Sequence, residues 1–386
     1  MMISQTPVPA GFRGVAGNIG IKDPRDDFFA VVSEVPAHVS AVFTRSRFAG
    51  SSVVLSRRAA ADGRARGVTV IARNANVATM TGEENAREVQ ERVARAAGVP
   101  PEEMLIASTG VIGVPYPMDR VRAFLDTLPE EFPPADLDRS AAAMMTTDTT
   151  PKTASARVGA ATVTGIAKGV GMIEPNMATM LAWFFTDAEL EQPLLDEIFR
   201  RVVDRTFNAL SIDTDTSTSD SAAVFANGLA GGVDAEAFES ALYDVALALV
   251  RKIAADGEGA GKLLEVRVTG ARDDAQAKRV GKAVVNSPLV KTAVHGADPN
   301  WGRVAMAVGK NDAETDIVPE KVRIVFGDVE TFPTPATGET LARAAEHMKG
   351  DEVVISVDLG IADGSFTVYG CDLTEGYIRI NADYTT

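Results

Sequence analysis

Short runs of apolar, β-branched residues alternate along this chain with longer stretches of helical period. "SAVFTRSRF" (40–48), "SVVLS" (52–56) and "VTVIARN" (68–74) read as strands. "EENAREVQERVARAAG" (83–98) has a different period: Val89 and Val93 stand four residues apart, on one face of a helix. "MDRVRAFLDTL" (118–128), "LLDEIFRRVVDRTFNAL" (194–210) and "AFESALYDVALALVRKIAAD" (237–256) predict further helices. The turn-rich "DGEGAG" (256–261) then breaks the pattern, and a strand, "KLLEVRVTG" (262–270), follows it. Beyond lie another pair of helices and a strand-rich end, "EVVISVDLG", "SFTVYG" and "GYIRINADY", with Gly and Asp turns between them. Alternating strands and helices predict a mixed α/β fold. The break predicts a main domain over residues 1–258 and a C-terminal domain over 259–386.

Composition narrows what such a fold can do. With 386 residues, 46% of them hydrophobic, the chain can fill a sizeable core. Its 38 Lys+Arg against 53 Asp+Glu give a net charge of −15, which disfavours attraction to nucleic acid or anionic lipid. The expected partners are small molecules or other proteins. A single cysteine, Cys371, cannot form an internal disulfide, and the first residues carry no signal-peptide pattern, so the expected location is the cytoplasm. No apolar run approaches the ~18 residues that span a bilayer.

Several motif-like stretches fail on their spacing. "GEGAGKL" (257–263) is too short between glycine and lysine for a phosphate-binding loop, and has Leu263 where a Ser or Thr belongs. "KGVGMIE" (168–174) lacks the third glycine of a dinucleotide fingerprint. "DTDTSTSD" (213–220) lacks the glycine of a calcium loop and has Val224 at the position of the bidentate Glu, so it reads as a polar turn. His38, His295 and His347 lie far apart, and no metal site is expected. His295 reads as a loop histidine before a helix capped at Asp298 with Pro299 at its first position, and catalysis is the competing reading.

"KGVGMIEPNMATMLAWFFTDA" (168–188) poses the chemical question, because Thr179 heads an apolar run that reads as a buried strand. A threonine hydroxyl needs a base to become a nucleophile. Cutting the bond between Ala178 and Thr179 would supply one, since a free α-amino group has a pKa of about 7.7–8.0 and accepts a proton near neutrality. Pro175, Asn176 and Ala178 suit the bent backbone that such self-cleavage requires. The competing reading is a loop-to-strand junction whose threonine merely suits β structure.

This segment resembles the self-processing stretch of the ornithine acetyltransferase (glutamate N-acetyltransferase) family, of the N-terminal-nucleophile superfamily. "RNANVAT" (73–79), "IASTGVIG" (106–113), "MTTDT" (145–149), "DTDTSTSD", "DGEGA", "HGADPNWGR" (295–303) and "VYGCDLTEGYIRINADYTT" (368–386) are similar to family counterparts in the same order. Some stretches look especially like the actinobacterial branch associated with clavulanic-acid gene clusters. The resemblance implies a four-layer αββα sandwich with a smaller C-terminal α/β domain. It also implies cleavage between Ala178 and Thr179 into an α chain (1–178) and a β chain (179–386), assembled as a heterotetramer or larger. Thr179 would be the nucleophile, with Thr109 and Gly110 as the oxyanion hole. Substrate contacts would come from Lys168, Thr179, Glu258, Asn381, Thr386 and one or both of Thr146 and Thr147. Glu174 departs from the His or Ala more common there.

The implied reaction is ping-pong transfer of acetyl from N-acetylornithine to glutamate through an acetyl-threonine, with no metal or organic cofactor. A self-processing aminopeptidase or amidohydrolase of the same superfamily, and an uncleaved amino-acid-binding protein, are the rival expectations.

Overall fold

The structure, a computed structural model, describes residues 6–21, 24–174 and 180–383. It opens with β1 (Phe12–Gly17), β2 (Phe28–Ser33), β3 (His38–Phe43), α1 (Ser51–Ala59), β4 (Gly67–Ile71), α2 (Gly82–Ala96), β5 (Met104–Ser108), α3 (Met118–Leu125) and α4 (Leu137–Ala143). Next come β6 (Lys152–Val158), β7 (Ala161–Lys168), β8 (Leu181–Glu189), α5 (Gln192–Arg205), β9 (Ser221–Gly232) and α6 (Ala235–Ala255). The remainder is β10 (Leu263–Ala271), α7 (Asp274–Val285), α8 (Pro288–His295), α9 (Trp301–Gly309), β11 (Arg323–Phe326), β12 (Val329–Phe332), α10 (Gly338–Met348), β13 (Glu352–Asp358), β14 (Gly364–Cys371) and α11 (Glu375–Asp383).

Three mixed sheets result, in strand orders β1-β2-β4-β5, β3-β9-β8-β7-β6 and β12-β11-β13-β10-β14. The inner strands of the first two, β2, β4, β7 and β8, are buried on both faces, and the period-2 alternation of their side chains shows how the sheets stack. From β2, Phe29 and Val31 share a core with Trp183 and Phe185 of β8 and Phe225 of β9, so these two sheets pack face to face. The opposite residues of β2, Phe28, Ala30 and Val32, pack with Val89 and Val93 of α2 and Val121 of α3. On the far side, Phe184 of β8 and Val224 of β9 pack under Phe199 of α5 and Leu249 of α6. The layers therefore run helix, sheet, sheet, helix, the αββα sandwich that the resemblance implies. The third sheet has its own core, with Val266 of β10, Val284 of α7 and Met348 of α10, while its Leu263, Tyr369 and Cys371 join the core under α5 and α6.

Three local expectations are corrected. "SVVLS" lies in α1: its serines face the edge of the first sheet, where the Ser56 hydroxyl donates to the Ile106 carbonyl at 2.6 Å and accepts from the Ile106 N–H at 2.7 Å. A polar residue that satisfies an edge strand reads in sequence like the solvent face of a strand. "GYIRINADY" falls largely in α11, where Ile378 is 68% exposed and the apolar alternation does not report burial. The helix after His295 is capped by Asn300, whose side chain accepts from the Arg303 N–H, and not by Asp298; His295 itself is the last residue of α8.

Candidate active site

Register places the ends of four strands together. Lys168, the last residue of β7, pairs with Leu181 at the start of β8, and Leu181 pairs with Ser221 at the start of β9. From the facing sheet, Thr109 follows β5, bonds through its N–H to the Ile71 carbonyl of β4 at 3.1 Å and bridges to Asn74. Between these ends lies a cavity of about 160 Å³ whose lining includes Thr109, Gly110, Thr146, Thr147, Lys168, Glu258, Asn381 and Met180, together with residues 217–220 and parts of 169–173. Seven residues expected at a site from separated parts of the sequence thus meet at one place. Ala178, Thr179 and Thr386 lie outside the described residues, and Met180 follows Thr179 directly in the chain.

Gly110 is required where it stands. Its φ is +131°, and a Cβ there would fall 2.2 Å from the carbonyl carbon of Arg73. Arg73 (φ 69°), Asn76 (φ 51°) and Ala78 (φ 55°) are themselves left-handed, so "RNANVAT" is a folded loop that backs Gly110. Asn74 holds it by donating to the Val114 and Pro115 carbonyls at 3.1 and 3.2 Å. Among the described residues the Gly110 N–H has no hydrogen-bond acceptor. Beside it the Lys168 ammonium donates to the Thr109 hydroxyl at 3.4 Å, and both side chains are buried. A hydroxyl and a backbone N–H side by side at a cavity wall can hold an oxygen that becomes negative.

The rest of the lining, from Lys168 to Glu258, is ionic. Glu258 accepts from the Thr147 hydroxyl at 2.7 Å and from the Asn381 side chain at 2.9 Å. The structure therefore distinguishes the two threonines: Thr147 is committed to Glu258, while Thr146 donates its N–H to Asp148 at 3.1 Å. Burial pushes the Lys168 pKa down, and Asp148 is the largest of the carboxylates that pull it back, with Asp220 and Glu258 behind it and Lys152 opposing; the net direction is down. Burial alone would raise the Asp148 pKa, but Lys168, Lys152 and the hydrogen bonds it accepts outweigh that and lower it.

The glycines beside Glu258 serve the C-terminus as well as ligand approach. A Cβ on Gly259 (φ +68°) would strike the Tyr377 nitrogen at 2.3 Å, so its bareness lets α11 dock and brings Asn381 to Glu258. Asp213 of the acidic turn accepts from the N–H groups of Met172 and Ile173 at 2.6 and 2.8 Å, which ties that turn to the stretch after Lys168. Among the described residues no group of three or more His, Cys, Asp or Glu side chains is placed to hold a metal ion. Sequence reasoning passed over Asp148, Lys152 and Asp256, which stand behind the ionic wall. Asp148 lies in "MTTDT" and Asp256 in "DGEGAG", but only their spatial pairing with Lys152 marks them out.

Comparison with known proteins shows what the chain is similar to. The model of the ArgJ family matches residues 13–386. Glutamate N-acetyltransferase Oat2 of Streptomyces clavuligerus is 65% identical over 395 residues, which cover 100% of both chains. Arginine biosynthesis bifunctional protein ArgJ of Rhodococcoides fascians is 53% identical over 382 residues, 98% of this chain and 94% of its own. The crystal structure of Arginine biosynthesis bifunctional protein argJ from Bacillus halodurans is similar at a TM-score of 0.50 and 40% identity, over 53% of this chain and 100% of that one.

Proposed function

This chain belongs to the ArgJ family, and on that premise we propose that it is a glutamate N-acetyltransferase that moves acetyl from N-acetylornithine to glutamate. Thr179 is the nucleophile. After cleavage of the Ala178–Thr179 bond its hydroxyl attacks the acetyl carbonyl while its own α-amine takes the proton. The tetrahedral oxyanion is held by the Thr109 hydroxyl and the Gly110 N–H, the donated proton goes to the departing ornithine amine, and an acetyl ester remains on Thr179. The amine of glutamate attacks that ester, gives a proton to the Thr179 α-amine and leaves as N-acetylglutamate, while the α-amine returns that proton to the departing Thr179 oxygen. Lys168 meets a substrate carboxylate, Glu258 meets a substrate ammonium, and Asn381, Thr146, Thr147 and Thr386 complete the pocket. No step calls on a metal or organic cofactor.

The observation that carries this reading is the meeting of Thr109–Gly110 with Lys168 and Glu258 around one cavity that Met180 also lines. The mature protein has two chains, residues 1–178 and 179–386. The two chains fold as one unit, with main and C-terminal parts meeting near residues 258–259, and pair further into a heterotetramer or larger assembly in the cytoplasm. Among the described residues no helix is long and apolar enough to cross a membrane.

The test is acetyl transfer from N-acetylornithine to glutamate by the purified protein, with Thr179→Ala as the control. N-acetylglutamate formed in proportion to ornithine released supports the transferase. Free acetate released equally fast without glutamate would make the protein a hydrolase instead.

A further inference from the structure

Lys152, Asp148 and Asp256 are not among the residues that line the cavity, yet they join the segments that do. The Lys152 ammonium donates to Asp148 Oδ1 at 2.8 Å, to Asp256 Oδ2 at 2.6 Å and to the Thr150 carbonyl at 3.2 Å. All three of its N–H donors are thereby used. The Lys152 side chain is 1% exposed, that of Asp148 0% and that of Asp256 10%, so this is an interior ion cluster and not a surface pair.

Each carboxylate carries the connection onward. Asp148 Oδ1 accepts the N–H of Gly169, the residue after Lys168, at 2.7 Å, and its Oδ2 accepts the N–H of Thr146 at 3.1 Å. Asp256 Oδ2 accepts the Thr149 N–H at 3.1 Å, and its Oδ1 accepts the Thr149 hydroxyl. Two residues beyond Asp256, Glu258 fixes its own backbone to the far side of the same turn, where its N–H bonds to the Val170 carbonyl at 2.8 Å. The loop bearing Thr146 and Thr147, the turn after Lys168 and the break bearing Glu258 are thus held in register by one ammonium and two carboxylates.

Stability alone does not account for such a cluster, because apolar side chains of similar volume commonly match or exceed buried ions in stabilising a fold. What it supplies is a single relative placement of segments far apart in sequence. We propose that Lys152 is a positioning residue: through Asp148 and Asp256 it sets the spacing between the cation Lys168 and the anion Glu258, and so the affinity for amino-acid substrates that carry both charges. The proposal rests on the acetyltransferase reading of the site. It separates two kinds of damage, since loosening this lock harms substrate binding, while the Thr109–Gly110 backbone is anchored elsewhere, by the Thr109 N–H on the Ile71 carbonyl, and meets Lys168 only through the Thr109 hydroxyl.

Two-substrate steady-state kinetics of the full-length, self-processed protein test it, with N-acetylornithine and glutamate as the probes and calorimetric titration with ornithine as a readout independent of turnover. Asp256→Asn keeps the Lys152–Asp148 pair and loosens only the arm toward Glu258. It is expected to raise KM and the ornithine Kd by about tenfold, with kcat changed by a smaller factor, the pattern of lost uniform binding. Lys152→Met is expected to raise both constants further, and Lys152→Arg, which can still bridge two carboxylates, to recover most of the loss. Should Lys152→Met fail to fold, Asp256→Asn and Lys152→Arg decide the matter. KM and Kd unchanged in Asp256→Asn, or kcat falling with KM unmoved, would overturn the proposal. A wild-type protein that binds ornithine but transfers no acetyl group would count against the acetyltransferase reading and leave the binding test of the lock intact.

Discussion

The two walls of the cavity are built by different means. The Thr109–Gly110 wall is backbone: its shape comes from the ends of β4 and β5, from Gly110 at φ +131° and from three left-handed residues in the loop behind it. The Lys168–Glu258 wall is charge: two lysines and three carboxylates, Asp148, Asp256 and Glu258, hold it, with Lys152–Asp256 and Thr147–Glu258 bonds joining residues 104 and 111 positions apart. The difference follows from what each wall would meet. A donor for an oxyanion must be aimed before the charge exists, which the fixed Gly110 N–H and the buried Thr109 hydroxyl do with little reorganisation. A substrate with a permanent carboxylate and ammonium is recognised by opposite charges, and these have to be kept ionised and apart.

The largest expected effect falls on the backbone wall. Gly110→Ala puts a methyl group 2.2 Å from the Arg73 carbonyl carbon and must displace the donor, so kcat should fall by at least ~10²–10³, with KM little changed. Thr109→Ala removes one donor without that clash and should fall in the same range, measured as single-turnover acetylation. If either variant raised KM and spared kcat, the two walls would not divide the labour as described.

On the ionic wall the signature reverses. Lys168→Met should raise KM for substrates bearing a carboxylate by about 10- to 100-fold, in keeping with the 1.5–3 kcal/mol typical of a hydrogen bond to a charged group. The wall should also titrate. Burial pushes the Lys168 pKa below that of an ordinary lysine, so its charge, and the affinity that depends on it, is present at lower pH and lost as pH rises, earlier than for an exposed lysine. Asp148 is the strongest of the groups that keep the proton on, ahead of Asp220 and Glu258, while Lys152 opposes them. Asp148→Asn should therefore move the alkaline rise of KM to lower pH, read from a pH profile of KM. Thr109→Ala, which removes the hydroxyl that Lys168 bonds, should lower kcat and move that limb by less than Asp148→Asn does.

Smaller effects are expected at the margin. Gly259→Ala should disturb the docking of α11 through the 2.3 Å approach to Tyr377 and weaken substrate binding through Asn381, by less than loss of Lys168 does. His295 bonds to the buried carboxylate of Asp372 at 3.2 Å, and Asp372 in turn accepts the N–H groups of Gly261 and Lys262. His295→Ala should cost about 1 kcal/mol of stability by thermal unfolding and leave kcat within about twofold.

Much of the fold was legible because its long elements are strongly periodic. Val89 and Val93 mark a helix face that is fully buried, and the helix at 237–256 lies almost wholly within α6. "SVVLS" misled because five residues cannot separate a strand from one helical turn, and because its serines are polar for the sake of a neighbouring sheet edge. At the site, "IASTG" and "DGEGA" each carry too little pattern to be placed against one another, and the family resemblance supplied what spacing could not. Lys152 stayed hidden for a physical reason: its two carboxylates stand 4 and 104 positions away, and nothing local in a strand-edge lysine reveals that it is 1% exposed.

Intact and peptide mass analysis of the wild-type protein, quenched after mixing with N-acetylornithine alone, tests the central claim most directly. The account predicts two chains that meet at Ala178 and Thr179, with one acetyl group on the peptide that begins at Thr179, discharged when glutamate is added. A single uncut chain that transfers acetyl, or an acetyl group carried elsewhere, would contradict it.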